Sequence, residues 1–411
     1  METKDMTSLP LEGIRIIDFS WIHAGPQDTM WLAVMGAEVI KIESRQRMDL
    51  MRQYSRAWSE EAGGGINSSP IYAVLNYSKK CCTLNLSQPR GIELAKELIR
   101  QSDVVVESFG TGVMDRFGMS YNDLKEIKPD IIMLSVSSLG STGRYGSYRG
   151  NAPTTHAFSG LCSITGYPGE EANLMGAMWA DHESALMGAY AIMSALHHRQ
   201  NTGEGQYIDL SMTEVVISTI PEAFMEYTMN KKLKKPMGNQ DEVTAPHGCY
   251  RCQGDDKWIA IAIANDEEWQ SFVAAIGNPD WSIEERFSDP YRRWKNQEEL
   301  DKLVEQWTIK HTTFEVLEIL QKAGVAAGPS YNAEELLRDP HLKERGFLME
   351  FDHPEMGKGT LPRLPWIVDG TPTGYYKPAP LLGEDNEYVF TQLLGMSPAE
   401  MESLVDQKVI Y

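Results

Sequence analysis

The stretch Ile14–Ile42, IRIIDFSWIHAGPQDTMWLAVMGAEVIKI, decides the fold class. Ile14–Phe19 is a short apolar run rich in β-branched residues and reads as a strand. Asp28–Met35 carries a helical pattern, and Glu38–Ile42 returns to strand. Strand, helix and strand in that order make a βαβ unit, whose crossover forces the two strands to run parallel. The alternation continues downstream. Thr83–Leu86, Val104–Glu107 and Ile131–Val136 read as strands, Ser87 is placed to cap a helix through PRGIELAKELIRQ, and a further helix falls around Tyr121–Ile127. An α/β protein with a parallel sheet is expected.

His182–Arg199 reads as a long helix with small residues on one face, broken by NTGEG before the strand QYIDLSM. From Met225 the chain turns polar and Lys-rich (MEYTMNKKLKKPMGN), so 225–242 is read as a linker that closes a first segment at 1–224. A smaller unit over 243–328 holds the strands CYRC and KWIAIAIA and the helices EEWQSFVAAI, NQEELDKLVEQWTI and TFEVLEILQKAG. The remainder, 329–411, has Pro-rich crossing segments and reads as a return to the first domain.

With 411 residues the chain has enough interior for two domains. Its 42% hydrophobic and 23% charged residues are ordinary globular values. A formal charge of −20 opposes binding to a phosphate backbone, so nucleic acid is not expected as a partner. METKDMTSLP lacks the basic and apolar regions of an export signal, and no apolar run is long enough to span a bilayer; a cytoplasmic location is expected. The five cysteines are then expected to be reduced thiols.

Several motifs fail on spacing. The turn SWIHAGPQD has no GxGxxG, and the Gly-rich Gly140–Gly150 (GSTGRYGSYRG) lacks the ending of a P-loop, so it reads as a loop over a site. His182–Glu183 starts like a zincin, but Leu186 stands where the second histidine belongs. Cys249 and Cys252 form a CxxC with no second pair and fit an ordinary strand. No metal site is expected.

Asp181, in MWADHESALM, is the residue whose chemistry is open. A helix starting at His182 makes it an N-cap with no further role. Alternatively, a carboxylate at a helix start, walled by Met178 and Trp179, is charged yet poorly hydrated, which suits a nucleophile. Arg45, Arg47, Lys79, Lys80 and Arg116 all follow strand-like stretches and are candidates to hold phosphates; solvated surface charge is the competing reading. Trp21, Met30, Trp31 and Met35 are candidates for an acyl pocket, with core packing the simpler alternative.

LEGIRIIDFSWIHAGP, GAEVIKIES, NYSKKCCTLNLSQPRGIELAKELI, SDVVVESFGTGVMDRFG, KPDIIMLSVSSLGSTGRYG, HHRQNTGEGQYIDLSM, RDPHLKERGF and APLLGEDNEYV, in that order, resemble family III CoA-transferases from about Leu11 to Ile410. The resemblance implies a large doubly wound α/β domain built from both chain ends, a smaller domain between them, and two subunits threaded as interlocked rings. It places the nucleophile on Asp181 and coenzyme A contacts on His23, Ala24, Arg45, Lys79, Lys80, Arg116 and Phe117. No permanently bound cofactor is implied, only CoA thioesters as substrates. The implied reaction moves CoA from a donor such as succinyl-CoA to a carboxylic acid through an aspartyl-CoA thioester. The segment GNAPTTHAF is similar to that of benzylsuccinate-type enzymes, whose acceptor is an aryl-substituted dicarboxylate.

Ser44, Ala152 and Ser184 depart from the family pattern, where a basic residue, an acid and a glycine are common. The glycine-rich loop of formyl-CoA transferases is absent, so formate–oxalate exchange is not expected. A 2-methylacyl-CoA racemase is the main alternative. Asn151 occupies the place of the racemases' second acid–base histidine, which favours the transferase. A non-catalytic partner subunit is the third reading, and either a homodimer or a hetero-oligomer with a homologous chain is expected.

Overall fold

The computed structural model describes residues 9–53, 65–176, 178–369 and 371–411. Six strands form one parallel sheet: β1 (Arg15–Asp18), β2 (Glu38–Glu43), β3 (Lys80–Thr83), β4 (Val104–Glu107), β5 (Ile132–Ser137) and β6 (Tyr207–Ser211). Their spatial order is β3-β2-β1-β4-β5-β6, and the register pairs Ile16 with both Val39 and Val104. Strands read as near-continuous apolar runs because both faces are covered. Ile17, Ile40, Cys82, Val105 and Met133 face one core, shared with helices Pro89–Arg100 and Tyr121–Ile127 and with Val389, Phe390, Val409 and Ile410 of the returning tail. On the other face Leu134 meets the long helix Trp179–Thr202 at Gly188.

Three expectations shift. The third strand is Lys80–Thr83 and not Thr83–Leu86, because Ile40 to Glu43 of β2 pair with Lys80 to Thr83 and Asn85 then turns the chain. Ser87 does not cap the next helix: its hydroxyl donates to Asn85 Oδ1 at 2.6 Å, and Gln88 is the N-cap ahead of Pro89. The segment expected as linker begins inside helix Pro221–Asn230, which Pro221 starts and Lys231, at φ +56°, ends.

By contacts, one compact unit comprises Met1–Cys162, Leu174–Lys232 and His341–Tyr411, and a second comprises Ser163–Asn173 and Leu233–Pro340. In the first, the tail binds the sheet directly: Arg45 N–H donates to Tyr411 O and Asn85 N–H to Val409 O. The second has the antiparallel strands β7 (His247–Arg251), β8 (Trp258–Ala262) and β9 (Ala326–Pro329). Trp269, Phe272, Leu300, Val304, Val316 and Leu320 from three helices pack on Tyr250, Ile259 and Ile261. No described helix is long and apolar enough to cross a membrane.

Candidate active site

The strand order reverses between β1 and β4, so the chain leaves their carboxyl ends in opposite directions and opens a crevice there. The exit from β1 supplies Trp21, His23 and the opening helix Ala24–Val34; the exit from β4 supplies Ser108 and Phe109. Ser108 Oγ accepts from Trp21 N–H at 2.8 Å, and the Trp21 and Phe109 rings meet edge to face at 5.7 Å. The long helix runs against the strands, since its carboxyl end feeds the start of β6. Its first turn therefore lies at this same edge.

Asp181 is in that turn, but it is not the cap. The helix begins at Trp179 with Met178 as N-cap, so Asp181 is the third helical residue. Its side chain is 7% exposed. Burial pushes its carboxyl up to about 6, against the pull of the backbone N–H groups of Ala24 and of Asp181 itself, which favour the carboxylate. Ala24 opens one helix and Asp181 lies in the first turn of another, so both positive helix ends favour its ionised form.

His23 is the N-cap of the opening helix, yet its side chain makes no capping bond. Its ring meets that of His182 edge to face at 4.8 Å, and His182 Nδ1 pairs with Gln27 at 2.8 Å. Burial, with His182 beside it, lowers His23 to about 4, so the ring is neutral at pH 7. His23, Ala24, Gln27, Asp181 and His182 thus form one cluster. His182 belongs to it as a neighbour of Asp181 and not as half of a metal motif.

The cations divide. Lys79, expected as a phosphate ligand, is buried and donates to Asp18 Oδ2 at 2.9 Å, Pro26 O at 2.6 Å and Asn76 Oδ1 at 2.9 Å. An ammonium has three N–H groups, and here all are spent on holding the opening helix to the sheet. Burial pushes Lys79 down to about 8 despite Asp18. Burial alone would raise Asp18, but Lys79 and Lys41 outweigh it and keep its carboxyl below the ordinary range.

Lys80 starts β3, at the opposite edge of the sheet from Asp181, where it pairs with Glu38 at 3.3 Å and stands over Tyr388. A surface depression of about 270 Å³ lies at that far edge, lined by Glu12, Glu38, Ser78, Lys80 and Tyr375 among others. Arg45 and Arg116 follow β2 and β4, are exposed, and have no ion-pair partner among the described residues. Arg47 lies over the Trp21 ring at 5.1 Å. Phe117 packs against the main core, as Met30, Trp31 and Met35 do against Tyr77, Leu361 and Leu364. Of the aromatic and methionine side chains expected near an acyl group, Trp21 alone lines the edge.

Two further side chains escaped sequence reasoning. His156 Nε2 accepts the N–H of Ala180 at 3.0 Å, and Asp28, on the opening helix, has both carboxyl oxygens buried without a hydrogen bond among the described residues. Burial and the neighbouring Asp18 push Asp28 well above the ordinary range. The signal for His156 was indirect: methionine at an N-cap leaves the first-turn amides without an acceptor.

This chain belongs to CoA-transferase family III, whose model matches residues 11–386. It is accordingly a CoA-transferase, moving coenzyme A between an acyl-CoA and a carboxylate, and CoA thioesters are its substrates. It is 30% identical over 401 residues to a succinyl-CoA–D-citramalate CoA-transferase of Chloroflexus aurantiacus, covering 98% of each chain. The alpha subunit of a succinyl-CoA–L-malate CoA-transferase from the same organism is 31% identical, over 98% of this chain and 93% of that one. Among solved structures, a CAIB/BAIF family protein from Brucella suis superposes with a TM-score of 0.84 at 29% identity, covering 94% of this chain and all of that one.

Proposed function

We propose that Asp181 is the nucleophile of a ping-pong transfer from succinyl-CoA to a dicarboxylic acid. An Asp181 oxygen attacks the donor thioester carbonyl, giving a mixed anhydride and CoA thiolate. The thiolate attacks the aspartyl carbonyl, releasing the donor as its carboxylate and leaving an aspartyl-CoA thioester. The acceptor carboxylate repeats the steps in reverse, and no net proton is gained or lost. The observation that carries this reading is the Asp181 carboxylate, 7% exposed and met by the Ala24 amide at the crevice between β1 and β4. That amide is also placed to donate to an oxyanion formed beside it.

Arg45, Arg47 and Arg116, without an ion-pair partner among the described residues, hold the CoA phosphates, and the Trp21–Phe109 pair is a platform for its adenine. The named relatives support succinyl-CoA as donor and malate-like acids as acceptors; an aryl-substituted dicarboxylate such as benzylsuccinate is a further acceptor to screen. Racemisation is disfavoured, because Asn151 spends its side chain capping helix Ala152–Phe158 and is no acid–base group. The test is incubation with succinyl-CoA, trapping with hydroxylamine or borohydride, and peptide mass analysis. Modification of Asp181 is expected, and its absence, alone or with a homologous partner chain, overturns the reading.

A further inference from the structure

We propose that His156 is a positioning residue for Asp181, gripping the main chain one residue before it and so fixing the first turn of the long helix. The inference rests on the reading of Asp181 as nucleophile. Four amides at a helix start lack partners within the helix. Here the N-cap, Met178, offers only its carbonyl, which takes the N–H groups of Asp181 at 3.1 Å and His182 at 3.0 Å. The Ala180 amide goes instead to His156 Nε2 at 3.0 Å, a side chain from a different helix doing the work of a cap.

That acceptor is itself held firmly. His156 is 2% exposed, on helix Ala152–Phe158, whose start is locked by reciprocal bonds between Asn151 and Thr154. Thr155 Oγ1 pairs at 2.7 Å with Ser138 Oγ, directly after β5. The rigid sheet thus reaches Asp181 through β5, the short helix, the His156 ring and Ala180. On the side-chain side, the Ala24 N–H favours the ionised carboxylate.

A backbone amide can only donate, so Nε2 carries the lone pair and the proton is on Nδ1. Burial lowers the His156 pKa and keeps the ring neutral, and no charged group contributes to that shift. With its lone pair occupied, the ring is not available as a base. Its contribution is geometric, and misplacing a reacting group by about 1 Å costs on the order of 100-fold in rate.

The experiment compares wild type with His156→Gln, which keeps an acceptor, and His156→Leu, which removes it. Formation of the Asp181–CoA adduct from succinyl-CoA is followed by quenched-flow mass spectrometry, with succinyl-CoA affinity measured on each protein. The leucine variant is expected to form adduct roughly 10–100-fold more slowly with affinity changed less than about 3-fold, and the glutamine variant to recover most of the rate. Equal rates in both variants, whether normal or reduced, overturn the positioning role while leaving Asp181 as nucleophile. A wild type that forms no adduct overturns both. Should the leucine variant not fold, the ring-nitrogen resonances of histidine-labelled wild type decide: an unprotonated Nε2 on His156 supports the proposal and a protonated one overturns it.

Discussion

At the scale of single residues, the raised Asp181 carboxyl links chemistry to stability. The rise from 3.8 to about 6 means that folding disfavours its ionisation, by up to about 3 kcal/mol. Because the folded-state value lies above the unfolded one, this cost is absent below about pH 4, grows between about pH 4 and 6, and is constant above. Asp181→Asn keeps the shape and an acceptor for Ala24 but cannot ionise. It is expected to abolish transfer and yet to raise the melting temperature at pH 8, with the gain vanishing near pH 4. A lowered melting temperature at pH 8 counts against the burial account. In the wild type, adduct formation is expected to rise with pH up to about 6 and level off above it.

Lys79 makes the opposite case, a charge kept for structure. Lys79 and Asp18 are both fully buried and bonded at 2.9 Å. Lys79→Met takes from Asp18 its directly bonded cation, leaving only the weaker pull of Lys41, and is expected to cost about 3–5 kcal/mol in urea denaturation. Adding Asp18→Asn to it recovers part of that loss, since no unpaired charge remains. If Lys79→Met folds as stably as wild type, the assignment of its ammonium to the scaffold fails.

At the scale of elements, the crossing of the opening and long helices sets the distance from Ala24 to Asp181. Gly188 is a close approach: a Cβ there would lie 2.9 Å from Asp28 Oδ2 on the opening helix and 3.2 Å from Leu134 Cδ2 on β5. Ser184, Ala185, Gly188, Ala189, Ile192 and Ala195 form the buried face of the long helix at helical spacing. Gly188→Val is expected to destabilise by about 1–3 kcal/mol through overpacking and to slow adduct formation as the helices part. Gly188→Ala is milder, because the helix preference of alanine, about 1 kcal/mol over glycine, offsets the crowding. Thermal melts and adduct rates on the two variants check the order.

At the scale of the molecule, two helical surfaces are exposed among the described residues of the single chain. Leu186, Met187, Tyr190 and Met193 are exposed on the long helix, and Phe224, Met225, Tyr227 and Met229 on helix Pro221–Asn230, which buries no residue. Apolar faces of this extent are expected to pair with another chain, the interlocked arrangement being our proposal for how. Light scattering is expected to give at least twice the chain mass, and Leu186→Lys with Tyr190→Lys to weaken the assembly. A monomeric wild type, with or without a homologous partner, overturns this expectation.

Sequence alone determined the elements whose signal is local. The βαβ pattern of Ile14–Ile42 follows from short-range periodicity, and the capped helix Tyr121–Ile127 and strand Val104–Glu107 fall where read. An ordered set of motifs also determined the family. What depends on contacts between distant residues was not legible. Lys79 and Lys80 are adjacent in the chain, yet one is buried under the opening helix and the other lies at the far edge of the sheet. On its local residues Asp181 was open between cap and nucleophile, because a single carboxylate before a helix looks the same whether the helix starts one residue later or two residues earlier. The acceptor that fixes that start, His156, is 24 positions from Ala180 in the chain and declares itself only when the fold brings the two together. Periodicity reports how a segment folds, whereas a site is made where several segments converge, and only tertiary packing decides which side chains remain free there to react.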